Sequence, residues 1–203
     1  MSEPGLHFDR VASTYRHARP GYPAEVYDLL SAHGAIGPGL RVLEIGAGSG
    51  QATAELLRRG CVVDAVEPGP ALAVDLRARF PEDRLTVLEA TAEDADLPES
   101  AYDSVLAATS LHWVDTEVAL PRLHAALRPG GRLGIWWAVF ADPDTRTPFR
   151  ELVDEIARRH GTGDDSTPSP LRTEERIAEL EAGSLFGDVE SHVVRWSHEM
   201  TPA

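Results

Sequence analysis

A short apolar run, three glycines at alternate positions and a helix-forming stretch follow one another over residues 41–57, RVLEIGAGSGQATAELL. Val42, Leu43 and Ile45 have the β-branched, apolar character of a buried strand. Gly46, Gly48 and Gly50 then form a turn, and residues 51–59 carry helix formers with Ala54, Leu57 and Leu56 toward one face. Strand, glycine turn and helix make the first half of a βαβ unit, and such turns sit where open α/β sheets bind ligands. A residue without Cβ admits positive φ and lets the backbone press close to a ligand.

The rest of the chain repeats that alternation. Expected strands cover residues 62–66, 85–89, 102–108 and 133–139, and expected helices residues 23–33, 70–80 and 116–127. Pro129-Gly130-Gly131 reads as the stop after the last of these helices. Strands alternating with helices predict an α/β fold, a doubly wound Rossmann-like and mostly parallel sheet with helices on both faces. At 203 residues this is one domain. Residues 1–34 read as an N-terminal helical cap, 40–140 as the core, 141–187 as a helical insertion and 188–200 as strand six. Within the insertion, residues 148–160 and 172–186 read as helices. Phe149, Leu152, Val153 and Ile156 share a face of the first, and Thr173 is a plausible N-cap of the second. Residues 161–170 read as a loop by composition.

Composition narrows the partners. A formal net charge of −14, with every basic side chain an arginine, argues against nucleic acid, whose phosphates need clustered cations. The same balance is compatible with a cationic or zwitterionic ligand. No apolar run approaches the roughly 20 residues of a membrane span, and MSEPGLHFDR has neither the basic nor the apolar part of a signal peptide. The lone Cys61 fits a reducing compartment, so a cytoplasmic location is expected. His7, His17, His33, His124, His160, His192 and His198 show no metal-ligand spacing with Cys or acids, and no metal is expected.

Two ligand classes fit a glycine turn after strand one. Dinucleotides prefer GxGxxG, with the pyrophosphate on the helix N-terminus. Here the spacing is GxGxG, Gln51 stands where the third glycine would fall, and Glu44 brings a negative charge to the turn. That carboxylate suits the ammonium of a methionine moiety, directly or through water. Glu67 ends strand two, about 20 residues after the first glycine, where an acid accepts from both ribose hydroxyls. The pattern favours a sulfonium nucleoside over a dinucleotide.

VLEIGAGSGQAT, the acid in AVEPG, the AED loop before LPES-YDSV, then SLHWVD and LRPGGRL together resemble a class I S-adenosylmethionine-dependent methyltransferase of the small-molecule, methyltransferase domain 11-like type. The segment FDRVASTYRHARPGYP resembles the cap of such enzymes. The resemblance covers roughly residues 8 to 140. It implies that Glu44, Gly46, Ala47, Gly48 and Gly50 surround the methionine end of S-adenosyl-L-methionine, and Glu67 with Pro68 the ribose. It further implies that Ala92 and Glu93 hold the adenine, and that Thr109, Ser110 and His112 face the methionine moiety and the acceptor. Thr91 stands where the family often has Asp. Tyr15 and Arg19 of the cap are implied as cofactor contacts, with Tyr15 near the transferred methyl.

The expected activity is methyl transfer to a small-molecule acceptor by in-line displacement, leaving S-adenosyl-L-homocysteine. His112, just past strand four, is the candidate general base, or else a structural histidine beside Trp113. Tyr15 is the other candidate catalytic residue. The alternatives are a nicotinamide-dependent oxidoreductase, disfavoured by GxGxG with Glu44, and a non-catalytic binding or interaction protein of the same fold. Trp136 and Trp137 are adjacent on strand five and must face opposite sides, most simply as core. Seven strands are usual in the resembling family and only six can be placed, so the last strand is expected to be missing. A shortened chain accounts for that, as does a partner chain filling the slot in a homodimer.

Overall fold

A computed structural model describes residues 20–80, 83–139, 145, 147–160 and 173–197. The described residues fall into two compact units, one within 20–137 with 196 and 197, the other within 138–195. The first begins with helix α1 (Ala24–Ala32), then strand β1 (Arg41–Ile45), α2 (Gln51–Arg58), β2 (Val62–Val66), α3 (Pro70–Arg79) and β3 (Leu85–Leu88). β4 (Tyr102–Ala108), a 3-10 turn (Leu111–Trp113), α4 (Thr116–Ala126) and β5 (Leu127–Trp136) complete it. Within the second unit lie α5 (Pro148–Arg159) and α6 (Thr173–Ala182). Among the described residues no helix is long and apolar enough to cross a membrane.

The sheet is parallel throughout, in the order β3-β2-β1-β4-β5. Its central strands are buried on both faces, which is why they read as continuous apolar runs: Val42, Leu43, Val63, Ala65, Val105 and Leu106 are each shielded completely. From β1 the chain runs outward to β2 and β3, then returns to place β4 on the other flank of β1. That reversal makes the β1–β4 junction a topological switch point, where loops diverge and a crevice opens beyond the carboxyl ends of the strands.

Helix α2 buries Ala52, Thr53, Leu56 and Leu57, so its inner stripe is set one residue away from Ala54. Strand β5 begins at Leu127, six positions before the expected start. Tyr102 pairs with Leu127 and Ser104 with Arg132, so Pro129, Gly130 and Gly131 bulge out between the two pairings instead of ending the strand's approach. Gly130 takes a φ of +77°, and a Cβ on Gly131 would stand 2.9 Å from the Arg128 carbonyl oxygen.

Residues 188–197, read from sequence as a sixth strand, carry no strand. Alternation makes a strand only where a neighbour pairs with it, and Val193 is 73% exposed. In α6, Thr173 is itself helical, whereas the sequence reading made it the N-cap. Leu152, Val153 and Ile156 of α5 are exposed, at 55%, 40% and 48%, so the apolar stripe of that helix is not core.

Candidate functional site

The crevice is lined by the loops that leave the carboxyl ends of the strands. After β1 the chain turns through Gly46, Gly48 and Gly50, with φ of +67°, +57° and +79°. All three sit in the left-handed region that side chains rarely adopt, yet they serve different ends. A Cβ on Gly46 would stand 2.6 Å from Ser110 Cβ, and one on Gly50 would meet Phe80 at 2.7 Å and Leu76 at 2.8 Å. Among the described residues, a Cβ on Gly48 would meet only the Gly46 carbonyl oxygen, at 3.9 Å. Gly46 and Gly50 therefore let the protein close on itself. Gly48 keeps the space in front of the turn open.

Hydrogen bonds fix the turn from several sides. Gly46 and Ala47 donate backbone N–H to the Val66 carbonyl at 2.8 and 3.2 Å, which ties the end of β1 to the end of β2. The Arg79 guanidinium donates to the Ser49 carbonyl at 2.5 Å. Across the switch point, the Ser110 hydroxyl donates to the Ile45 carbonyl at 2.5 Å.

Glu67, 4% exposed, turns its carboxylate toward the glycine turn. Oε2 accepts from the Gly48 N–H at 2.7 Å and Oε1 from the Gly69 N–H at 2.8 Å. The acid expected to meet a ribose thus stands against Gly48. Pro68 comes directly after it, ahead of the Gly69 cap of α3.

Glu44 behaves differently. It is 1% exposed, accepts from the Thr53 hydroxyl at 2.7 Å, and is sealed beneath the turn instead of standing in front of it. Burial pushes its carboxyl up to about 7; the Thr53 hydrogen bond opposes that shift, and the charge of Glu67 adds to it. Two acids that repel each other below an open bend favour positive charge above it.

After β3, Ala92 is buried at 4% while the Glu93 carboxylate accepts from the Asp115 N–H at 2.7 Å, joining this loop to the start of α4. Thr91, where the resembling family often carries Asp, accepts at its hydroxyl from the Asp94 N–H at 3.3 Å and closes a local turn.

The end of β4 is strained. Thr109 has a φ of +56°, a conformation that costs a β-branched residue about 1–3 kcal/mol and that concentrates at functional sites. Its N–H donates to the Trp136 carbonyl at 2.8 Å, stitching β4 to β5. The Tyr22 hydroxyl donates to the Ala108 carbonyl at 3.2 Å and lies 3.1 Å from Thr109 Oγ1. Tyr22 also packs edge-on against Trp136, ring centres 5.6 Å apart. The 3-10 turn comes next and places His112, exposed, with its ring 4.8 Å from that of Trp113. The Trp137 indole N–H donates to His112 Nδ1 at 3.3 Å.

The structure therefore brings Gly46, Ala47, Gly48, Gly50, Glu67, Pro68, Ala92, Glu93, Thr109, Ser110 and His112 to one edge of the sheet, at the ends of β1 to β4. Glu44 lies beneath that edge. Tyr15 and Arg19 fall outside the described residues. Tyr22 and Trp137 are the contacts that sequence reasoning missed: each partner is reached only through the fold, 87 and 25 positions away.

Residues 43–135 match the methyltransferase domain family. An uncharacterised methyltransferase of Mycobacterium tuberculosis (strain ATCC 25618 / H37Rv) is 36% identical over 197 residues, covering 97% of this chain and 72% of the relative. An uncharacterised methyltransferase of Schizosaccharomyces pombe is 28% identical over 193 residues, covering 91% and 70%. Among solved structures, a protein of Methanococcus maripaludis described as an S-adenosyl-L-methionine-dependent methyltransferase shares the fold with a TM-score of 0.65. It is 15% identical, with 96% of this chain and 91% of that one covered.

Proposed function

The chain belongs to the class I S-adenosylmethionine-dependent methyltransferases, and on that premise we propose that it binds S-adenosyl-L-methionine at the β1–β4 switch point and methylates a small-molecule acceptor. The observation that carries the reading is the bend at Gly48, where among the described residues a Cβ would meet only one backbone oxygen, with the Glu67 carboxylate against it. Among the described residues the bend has one acid against it, a second buried beneath it and a single guanidinium engaged with the Ser49 carbonyl, a setting that suits a cationic sulfur nucleoside better than a diphosphate.

In this reading Gly48 admits the methionine end to the backbone. The Glu67 carboxylate stands at the ribose hydroxyls, and Ala92 with Glu93 flanks the base. Thr109 and Ser110 face the methionine portion and the acceptor; the resemblance adds Tyr15 and Arg19 from the cap. Glu44 stays under the turn, its carboxyl raised to about 7, so that it is fully charged only above that pH. The bound cofactor supplies an activated methyl group, and the chain supplies alignment, in which effective molarities reach about 10⁵–10⁸ M.

Thermal unfolding with S-adenosyl-L-homocysteine and, separately, with NADH tests the assignment. Ligand at 100 times its dissociation constant adds about 2.7 kcal/mol, and for a chain of this size each kcal/mol is worth roughly 2–4 °C. S-adenosyl-L-homocysteine should therefore raise Tm by roughly 5–10 °C and NADH should not. Glu67→Gln should lose that response, because an amide nitrogen would then face a backbone N–H of Gly48 or Gly69. Stabilisation by NADH alone would overturn the proposal in favour of an oxidoreductase.

A further inference from the structure

Gly21-Tyr22-Pro23 leads into the first helix, with Pro23 as the N-cap of α1 and its carbonyl accepting from the Val26 N–H at 3.1 Å. The proline ring fixes the backbone directly after Tyr22. The half-buried Tyr22 ring packs edge-on against Trp136 at 5.6 Å, and Trp136 meets Tyr27 of α1 edge-on at 6.2 Å. Seated in this way, the phenol reaches the end of β4, 87 positions along the chain. Its hydroxyl donates to the Ala108 carbonyl at 3.2 Å and lies 3.1 Å from Thr109 Oγ1.

Thr109 follows the last residue of β4, and its φ of +56° is one that a β-branched residue keeps only where its surroundings over-determine it. The placement of the next residue depends on that conformation. Ser110 donates its hydroxyl to the Ile45 carbonyl at 2.5 Å, and its Cβ fills the space that a side chain on Gly46 would need, 2.6 Å away. With Thr109 in the ordinary negative range of φ the chain would leave β4 on another course, and Ser110 would lose its seat against the glycine turn.

Resting on the methyltransferase reading, we propose that Tyr22 is a positioning residue for the cofactor: its hydroxyl holds Thr109 in the left-handed conformation and so keeps Ser110 against the turn that receives the methionine end. The ring alone does not do this. Packing against Trp136 is available to a phenylalanine, whereas the contacts to Ala108 and Thr109 belong to the hydroxyl. A ligand that binds one backbone conformation loses affinity in proportion to the fraction of protein that adopts it. Removing a hydrogen bond of ordinary worth from a strained residue lowers that fraction roughly five- to tenfold.

Two measurements test the role of the hydroxyl. In ¹⁵N-edited NOE spectra of threonine-labelled, ligand-free protein, Thr109 (assigned by loss of its signals in Thr109→Gly) should show the strong intraresidue HN–Hα cross-peak of a left-handed residue, and Tyr22→Phe should weaken it. In titration calorimetry, Tyr22→Phe should bind S-adenosyl-L-homocysteine roughly five- to tenfold more weakly than the native protein. Glycine adopts positive φ as readily as negative. In a Thr109→Gly background, whatever that change does by itself, Tyr22→Phe should therefore alter affinity by less than about twofold. A tyrosine that only filled space would give neither the change in NOE nor the coupling. A native Thr109 without the strong cross-peak, a cross-peak unchanged by Tyr22→Phe, or an equal loss of affinity in both backgrounds would overturn the proposal. Failure of the native protein to bind S-adenosyl-L-homocysteine would instead overturn the methyltransferase reading, and the NOE, read without ligand, would still decide what the Tyr22 hydroxyl holds.

Discussion

Glu44 is expected to lower the stability of the protein at neutral and alkaline pH, and replacing it with Gln should reveal by how much. Its carboxyl is fully enclosed and raised from 4.5 to about 7, chiefly because burial penalises the charge, with the Thr53 hydrogen bond opposing and the Glu67 charge reinforcing. Below pH 4.5 the carboxyl is protonated in folded and unfolded chains alike and costs nothing. Between that value and about 7 the unfolded chain ionises while the folded one keeps its proton, so stability falls by about 1.4 kcal/mol per pH unit and levels off about 3 kcal/mol lower. Gln keeps an oxygen for the Thr53 hydroxyl and has no charge to bury. Urea unfolding of both proteins at pH 5, 6, 7 and 8 should therefore give a stability difference that grows in favour of Glu44→Gln, by about 2.5 kcal/mol between pH 5 and pH 8. An unpartnered amide N–H would shift all four values by a constant of about 1–3 kcal/mol, so the slope is the test and not the offset. A difference independent of pH, or one that moves against Gln as pH rises, would refute the reasoning.

The glycines separate folding from binding. Gly46→Ala drives a Cβ into Ser110 at 2.6 Å on top of a left-handed φ, and should lower stability by about 3 kcal/mol or prevent folding, read by urea unfolding. Gly48→Ala meets no side chain and should cost only the left-handed penalty of about 1–2 kcal/mol, yet weaken S-adenosyl-L-homocysteine by at least roughly tenfold in titration calorimetry. The Tyr27 hydroxyl is buried without a hydrogen-bond partner, so Tyr27→Phe should raise stability by up to about 1 kcal/mol in the same unfolding assay.

The parts of the fold that were legible in the sequence share one physical property. β2 and β4 begin and end where expected, at Val62–Val66 and Tyr102–Ala108, because a strand buried on both faces is mostly apolar, with its few polar side chains (Asp64, Ser104) hydrogen-bonded, and is bounded by Gly, Pro or polar residues. β5 did not obey that rule. Its first residues lie in the sheet only through a bulge, and Pro129-Gly130-Gly131, a strong stop by composition, is absorbed within the pairing of β4 and β5. Residues 188–197 fail in the opposite sense: the alternation is present, but no neighbouring strand among the described residues completes it. Periodicity states which face of a segment is apolar. It does not state whether anything covers that face, as Leu152, Val153 and Ile156 on α5 also show.

The candidate site divides along the same line. GxGxG announced a turn with positive φ at three positions, and each of the three has it. The sequence could not distinguish the glycines that let protein approach protein from the one that leaves room, because Ser110, Phe80 and Leu76 arrive from other strands and helices. The same holds for the acids. Both were expected to touch ligand, but β1 carries Glu44 into the layer beneath the turn while Glu67 ends β2 beside it. On the proposed reading, Glu67 acts by contact and Glu44 by its field. A field acting from below distinguishes ligands by charge and is indifferent to their shape. If that division holds, Glu44→Gln should weaken S-adenosyl-L-methionine, with its sulfonium charge, more than S-adenosyl-L-homocysteine, which lacks it, whereas Glu67→Gln should weaken both equally because both carry the same ribose. Calorimetric titration of the two ligands against the two variants decides it: an equal loss of both ligands in Glu44→Gln would place that acid in contact with the part they share.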